Sequence, residues 1–74
     1  MEIAVGQVFK DKDKRMEGRH VKVVYVYYSG LRVGCAECLP DGTGVSERRR
    51  RFAVKTLHTK FQLVSPAAAH EERG

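Results

Sequence analysis

The sequence predicts an all-β fold, a small antiparallel sheet in a single domain. Three observations carry that expectation. Valines and aromatic residues dominate the apolar content, glycine-bearing breaks recur at short intervals, and no segment keeps a helical period for ten residues. At 74 residues the chain has room for one domain that buries little more than half of its unfolded surface, so a deep catalytic cleft is not expected.

The first strand is expected over roughly Glu2 to Phe9, where Ile3, Val5 and Val8 alternate imperfectly around Gly6. A charged loop follows, 10-KDKDKRMEGR-19, closed by Gly18. The second strand, 20-HVKVVYVYY-28, has the strongest β-propensity in the chain. Val21, Val23 and Tyr25 share one of its faces and Lys22, Val24 and Val26 the other. Either both faces are covered or a bulge switches the phase. The tetrapeptide 29-SGLR-32 turns the chain into a third strand, about Val33 to Leu39. The segment 40-PDGTG-44 then reads as a hairpin turn, because Asp-Gly supplies the positive φ values that tight hairpins need. A fourth strand is expected over about Val45 to Val54. The stretch 55-KTLHTK-60 is short for a helix and suits a single 3-10 turn ahead of a last strand, 61-FQLV-64. Ser65-Pro66 ends the ordered part, residues 1–66, and 67-AAAHEERG-74 is expected to be a flexible tail. Five short strands and one helical turn describe a strongly bent antiparallel sheet. The SH3-like barrel is the commonest example at this size, whereas an OB-fold needs a longer chain.

Lys and Arg number 14 against 9 acids, a net charge of +5, and the excess is uneven. Lys10 to Lys22 carries six bases and three acids, while Val45 to Lys60 carries six bases and one acid. Such a bias favours nucleic acid, acidic protein surfaces or anionic lipid as partners. No stretch approaches the roughly 20 apolar residues that span a bilayer, and MEIAVGQVF lacks a basic leader with a long apolar run, so a soluble, cytoplasmic protein with no membrane partner is expected.

The bias concentrates in 47-ERRRRF-52. In a strand, alternate residues face opposite sides, so with Phe52 and Val54 turned inward, Arg48 and Arg50 share their side. Arg49 and Arg51 then face out with Ala53 and Lys55. Four arginines cannot all be buried, so the hairpin is expected to project beyond the barrel as a cationic β-ribbon. Arginine forks suit phosphate oxygens and a β-ribbon fits the major groove, which makes Arg48, Arg49, Arg50, Arg51 and Lys55 nucleic-acid contacts, joined by Arg19 and Lys22. The competing reading is that the arginines guard an exposed edge strand against sheet-to-sheet aggregation.

Asp11 and Asp13 have i, i+2 spacing. A calcium loop, however, also needs a third oxygen ligand, a central glycine and a closing glutamate in register, and the interleaved lysines repel a cation. A structural role is expected instead, with either aspartate capping turn amides or pairing with Arg15 or Arg19. The pair in 35-CAEC-38 chelates zinc or forms a disulfide only if a turn brings both sulfurs to one side. In an extended strand they point to opposite faces about 10 Å apart, at roughly 3.3 Å per residue. Two reduced cysteines are therefore expected, with Cys38 and Ala36 the inward pair and neither metal nor cofactor bound. Tyr25, Tyr27, Tyr28, Phe52 and Phe61 offer stacking platforms for single-stranded bases, although Phe52, Phe61 and one tyrosine are needed for a core without tryptophan. His58 has no serine, cysteine or carboxylate placed by sequence to work with it, so no enzyme is expected.

Over 5-VGQVFKDKDKRMEGRHVKV-23 the sequence resembles small uncharacterised proteins encoded by actinobacterial phages and their hosts. The shared pattern is G-x-V-aromatic-x-D-x-D-x-R-x-x-G-R, carried here by Gly6, Val8, Phe9, Asp11, Asp13, Arg15, Gly18 and Arg19. The later piece 52-FAVKTLHTKFQLV-64 is similar to the end of the same proteins, and the two pieces cover less than half the chain. The resemblance implies a compact β domain and carries no established activity, so no catalytic residue transfers from it. The expected function is a non-enzymatic, phage-related nucleic-acid-binding module in the host cytoplasm. The rivals are a protein-interaction module that docks an acidic partner or a second copy, and a structural phage component.

Overall fold

The computed structural model describes residues 3–27 and 30–65, with Ser65 given by its backbone alone. Tyr28, the stop at Pro66 and the tail over 67–74 lie outside the described residues. The chain runs β1 (Val8–Asp11), a 3-10 turn (Lys14–Met16), β2 (His20–Val26), β3 (Arg32–Cys38), β4 (Arg49–Ala53), α1 (Val54–Lys60) and β5 (Phe61–Ser65). The strands form one antiparallel sheet in the order β4-β3-β2-β1-β5. The sheet is open, with β4 and β5 as its edges. It is nonetheless bent: Phe52 of β4 and Phe61 of β5 stand on opposite edges, yet their rings meet at 5.5 Å.

The concave face holds the core, built from Phe9, Val21, Val23, Val33, Cys35, Leu57 and Phe61, with Ile3, Val26, Phe52, Val54 and Leu63 packed against it. The doubly apolar pattern of β2 is resolved by a bulge. The pairing with β3 shifts between Val23 and Tyr25, which turns Tyr25 to the outer face and returns Val26 to the core.

The first strand is shorter than the alternation of Ile3, Val5 and Val8 predicts. Gly6 has φ +100°, a left-handed conformation that interrupts the strand, and the Gln7 side chain accepts the Ala4 amide across the turn. Val5 is left exposed.

The fourth strand begins at Arg49, not at Val45. The turn at Pro40 to Gly44 forms as expected, with the Gly42 amide bonded to the Leu39 carbonyl and the Leu39 amide to that of Thr43. It then folds onto the outer face of the sheet. Val8 is fully buried there, outside the main core, and Gly42 is so close that a Cβ would lie 3.1 Å from Val8 Cγ2. Only glycine fits there, since its φ is also +89°. The hairpin therefore does not project as a ribbon; burying Val8 holds its turn against the sheet.

The segment before the last strand is a seven-residue α-helix, and the 3-10 turn lies instead at Lys14–Met16. Val54, Thr56 and Thr59 are weak helix formers, and the N-terminus has no side-chain cap. What holds α1 is Leu57, wholly buried in the core.

The cysteine phase is also corrected. Val33 pairs with both Val26 and Phe52, so residues 33 and 35 share the core face, and Cys35 rather than Cys38 is the core cysteine. Ala36 is buried on the opposite face, and Cys38 is half-exposed on that side. Both thiols are free. A thiol reagent should accordingly titrate one cysteine, Cys38, in the native protein and both in denaturant. Two fast-reacting thiols in the native state would contradict this placement.

Candidate nucleic-acid interface

The loop after β1 is a framework of charges that satisfy one another. The Asp11 carboxylate accepts the Asp13 amide at 2.9 Å, and that of Asp13 accepts the Arg15 amide at 2.9 Å and caps the 3-10 turn. The Arg15 guanidinium also bonds Asp13, which holds that exposed carboxyl below its ordinary range. Arg19 is largely buried between two carboxylates, 3.7 Å from Asp11 and 3.4 Å from Glu37. Its Nε is not aligned to donate a hydrogen bond, so the contact with Glu37 is ionic. The aspartates thus take the capping and pairing roles expected of them, and Arg19 ties the loop to β3.

Strand β4 divides the arginine run between two faces. Arg50 lies opposite Cys35 and Phe52 opposite Val33, both on the concave side, while Arg49 lies opposite Ala36 and Arg51 opposite Gly34 on the outer side. Arg48 precedes the strand, its amide bonded to Ser46 Oγ, and lines a groove with Arg50, Met16 and Phe52. All four are exposed. Arg50 stays in water although it points to the core side, because β4 is an edge strand beyond which no described strand packs. The groove it shares with Arg48 also contains Arg19 and Glu37, so its charge is mixed.

The outer face is different. Cross-strand rows run Lys22, Ala36, Arg49 and then Tyr25, Gly34, Arg51, with Arg32 opposite Ala53 in the next row. No acidic residue occupies a strand position of that face in β2, β3 or β4. The covering turn brings Asp41, whose carboxylate is engaged by the Thr43 hydroxyl at 2.6 Å and amide at 2.9 Å and so held below its usual range. Lys22 donates to the Gly42 carbonyl at 3.3 Å, so it is partly committed to the turn.

Beyond these rows the face continues as an open groove shared by Tyr27, Arg32, Arg51, Lys55 and His58. Lys55 reaches it from α1, not from an outward position of β4. The Arg51 guanidinium lies 5.5 Å from the Tyr27 ring centroid, and Tyr27 meets Tyr25 edge to face at 4.9 Å. Tyr25 remains 51 % exposed.

The structure therefore joins Lys22, Arg49, Arg51 and Lys55 on the outer side, sets Arg48 and Arg50 on the other in a groove that Arg49 also lines, and folds Arg19 into the frame. Arg32 joins the cluster without having been singled out by sequence, and His58, weighed there only as an acid or base, joins it as well. The signal for Arg32 was its even spacing from Gly34 and Ala36, opposite in phase to Val33 and Cys35.

Burial pushes the Cys35 thiol up to about 12, with Cys38 adding to the effect, and burial raises Cys38 as well. Among the described residues no group of three His, Cys, Asp or Glu side chains could hold a metal ion, and no helix is long and apolar enough to cross a membrane.

Fold and site together define a class, a small mostly-β domain with a cationic, tyrosine-bearing sheet face. Comparison with protein-family models, with curated proteins and with solved structures finds no match for the chain.

Proposed function

We propose that this protein is a non-enzymatic module of SH3-like type, phage-related and working in the cytoplasm of a bacterial host, that binds nucleic acid through the outer face of its sheet. One observation carries the reading: Lys22, Arg32, Arg49 and Arg51 stand on three neighbouring strands with Lys55 beside them, and no carboxylate occupies a strand position among them. The bent five-stranded sheet with a helical segment before its last strand supports the SH3-like assignment. The Gly6 to Arg19 pattern supports the phage relation.

Binding of duplex DNA measured against salt tests the proposal. Each cation that meets a phosphate displaces condensed counterions, so three to five contacts give a log–log slope of roughly −3 to −4.5. Replacing Arg49 and Arg51 with Glu should bring the slope about 1.8 closer to zero. The thermal midpoint should barely move, because exposed arginines contribute little to folding. If neither DNA nor RNA binds at low salt, or if the double variant binds as wild type does, the proposal is wrong.

A second reading has its own observation. Among the described residues β4 pairs with β3 alone, which leaves its outer edge for an added strand. An acidic extended peptide from a partner suits that edge. A second copy does not, because antiparallel pairing of β4 with itself sets arginine against arginine.

A further inference from the structure

We infer that the outer face takes single-stranded nucleic acid in preference to duplex, with a base stacked on Tyr25 and the flanking phosphates held by Arg49 and Arg51 on one side and Arg32 on the other. The inference rests on the nucleic-acid reading above and adds the form of the ligand.

Two features of the face separate the forms. The first is its shape. Because the turn folds back over Val8, with Gly42 against it, β4 lies in the sheet as an edge and offers no projecting ribbon to enter a major groove. The second is the pair of exposed rings set among the cations. Gly34 lies between Tyr25 and Arg51, and even a Cβ placed there would be in ordinary contact with the two tyrosine side chains, 3.6 Å from Tyr25 Cβ and 3.9 Å from the Tyr27 hydroxyl. The glycine keeps the floor low, so the tyrosines and guanidinium groups form one shallow platform. Arg51 covers part of Tyr27 and extends the planar surface, while half of Tyr25 remains open.

A duplex presents phosphates and hides the faces of its bases, so it can use the cations but gains nothing from Tyr25. A single strand presents both. Successive outward positions along β4 are about 7 Å apart, comparable to the spacing of neighbouring phosphates along one strand. Arg49 and Arg51 can therefore meet adjacent phosphates on one side of the base that turns onto the ring, with Arg32 on the other. Every base has such a face, so the contact tolerates any sequence, and the shared ligand chemistry is a single-stranded polynucleotide of either sugar.

The test compares labelled oligothymidylate and oligouridylate of about twelve nucleotides with a duplex of the same length at one salt concentration. Single strands should bind more tightly than duplex. Tyr25→Ala should weaken single-strand binding by roughly tenfold or more and leave duplex binding within about twofold, with the salt slope unchanged. Tyr25→Phe should keep the wild-type affinity, and the thermal midpoint of each variant shows that the sheet is intact. Preference for one oligonucleotide over the other, which differ in the sugar and in the C5 methyl of the base, leaves the inference standing. If Tyr25→Ala binds single strands as wild type does, or weakens both forms equally, the stacking inference is overturned. The cationic reading still survives in that case if Arg49→Glu with Arg51→Glu removes binding. If wild-type protein binds neither form, both fall together.

Discussion

Leu57→Ala should cost about 2–5 kcal/mol of unfolding free energy, enough to leave little folded protein in a domain of this size. Leu57 is completely buried and is the only residue of α1 that is, and the helix has neither length nor a side-chain cap to sustain it alone. Truncation removes the side chain that pins α1 to the core and leaves a void in the cluster that contains Phe61, whose ring in turn meets Phe52. The neighbours cannot collapse freely, because α1 is tied directly to β4 and β5 at its two ends. Urea denaturation followed by circular dichroism measures the cost. Val5→Ala serves as the control, since Val5 is half-exposed and its loss should stay within about 0.5 kcal/mol. A Leu57→Ala protein within about 1 kcal/mol of wild type would mean that α1 is not held as described.

The second large effect is a loss of stability in alkali that depends on Cys35. Burial raises its thiol from an ordinary 9.0 to about 12 in the folded chain. In the unfolded chain the thiol ionises from about pH 9, while the folded state keeps it neutral, so the unfolded state binds fewer protons across this window. Stability from this group is complete below the unfolded value and is lost as pH rises toward the folded one. The loss approaches about 1.4 kcal/mol per pH unit within the window. Tyrosines and lysines also titrate there, but they do so equally in wild type and in Cys35→Ala, so the difference between the two stability curves isolates the thiol. The variant begins less stable because of the cavity it creates, and its deficit should shrink as pH rises from 9 to 11. Parallel curves would place Cys35 outside the core.

How much of this was legible depends on the range of the forces involved. Strands β2 and β3 were readable because β-branched residues and a glycine turn act locally. Even the bulge was implied, since the sequence from Val21 to Val26 has apolar residues on both faces and a half-solvated strand cannot keep both. The start of β4 was not readable, because 45-VSER-48 is extended-looking chain whose course is set by a turn packing on Val8, more than thirty residues away. Helix α1 reads in sequence as no more than a single 3-10 turn for a similar reason, since its threonines and valine are weak helix formers and only the burial of Leu57 extends the turn into a helix. At the site, period-two spacing was enough to set Arg49 and Arg51 apart from Arg50. It failed for Lys55, which had been assigned to a strand that in fact ends at Ala53. The pairing of Arg19 with Asp11 was within reach of sequence, but its burial against the long-range partner Glu37 was not, and the spacing that groups Arg32 with Gly34 and Ala36 needed the register of β3 on β4 to say which face they share.

The register of β1 carries a consequence for how the chain is made. Val8 pairs with Ser65, and Asp11 with Phe61, so the strand that begins the sheet is completed by the last one described. The hairpins from β2 to β4 join near neighbours and can form as soon as they emerge from the ribosome. The β1–β5 ladder closes a loop of more than fifty residues and must wait for Phe61 to Ser65. Until then Phe9 lacks its covering strand, and the nascent chain exposes an apolar edge that the finished domain hides. The β1–β5 ladder therefore forms after the hairpins, and until it does a chaperone, or another copy of the chain, can capture β1.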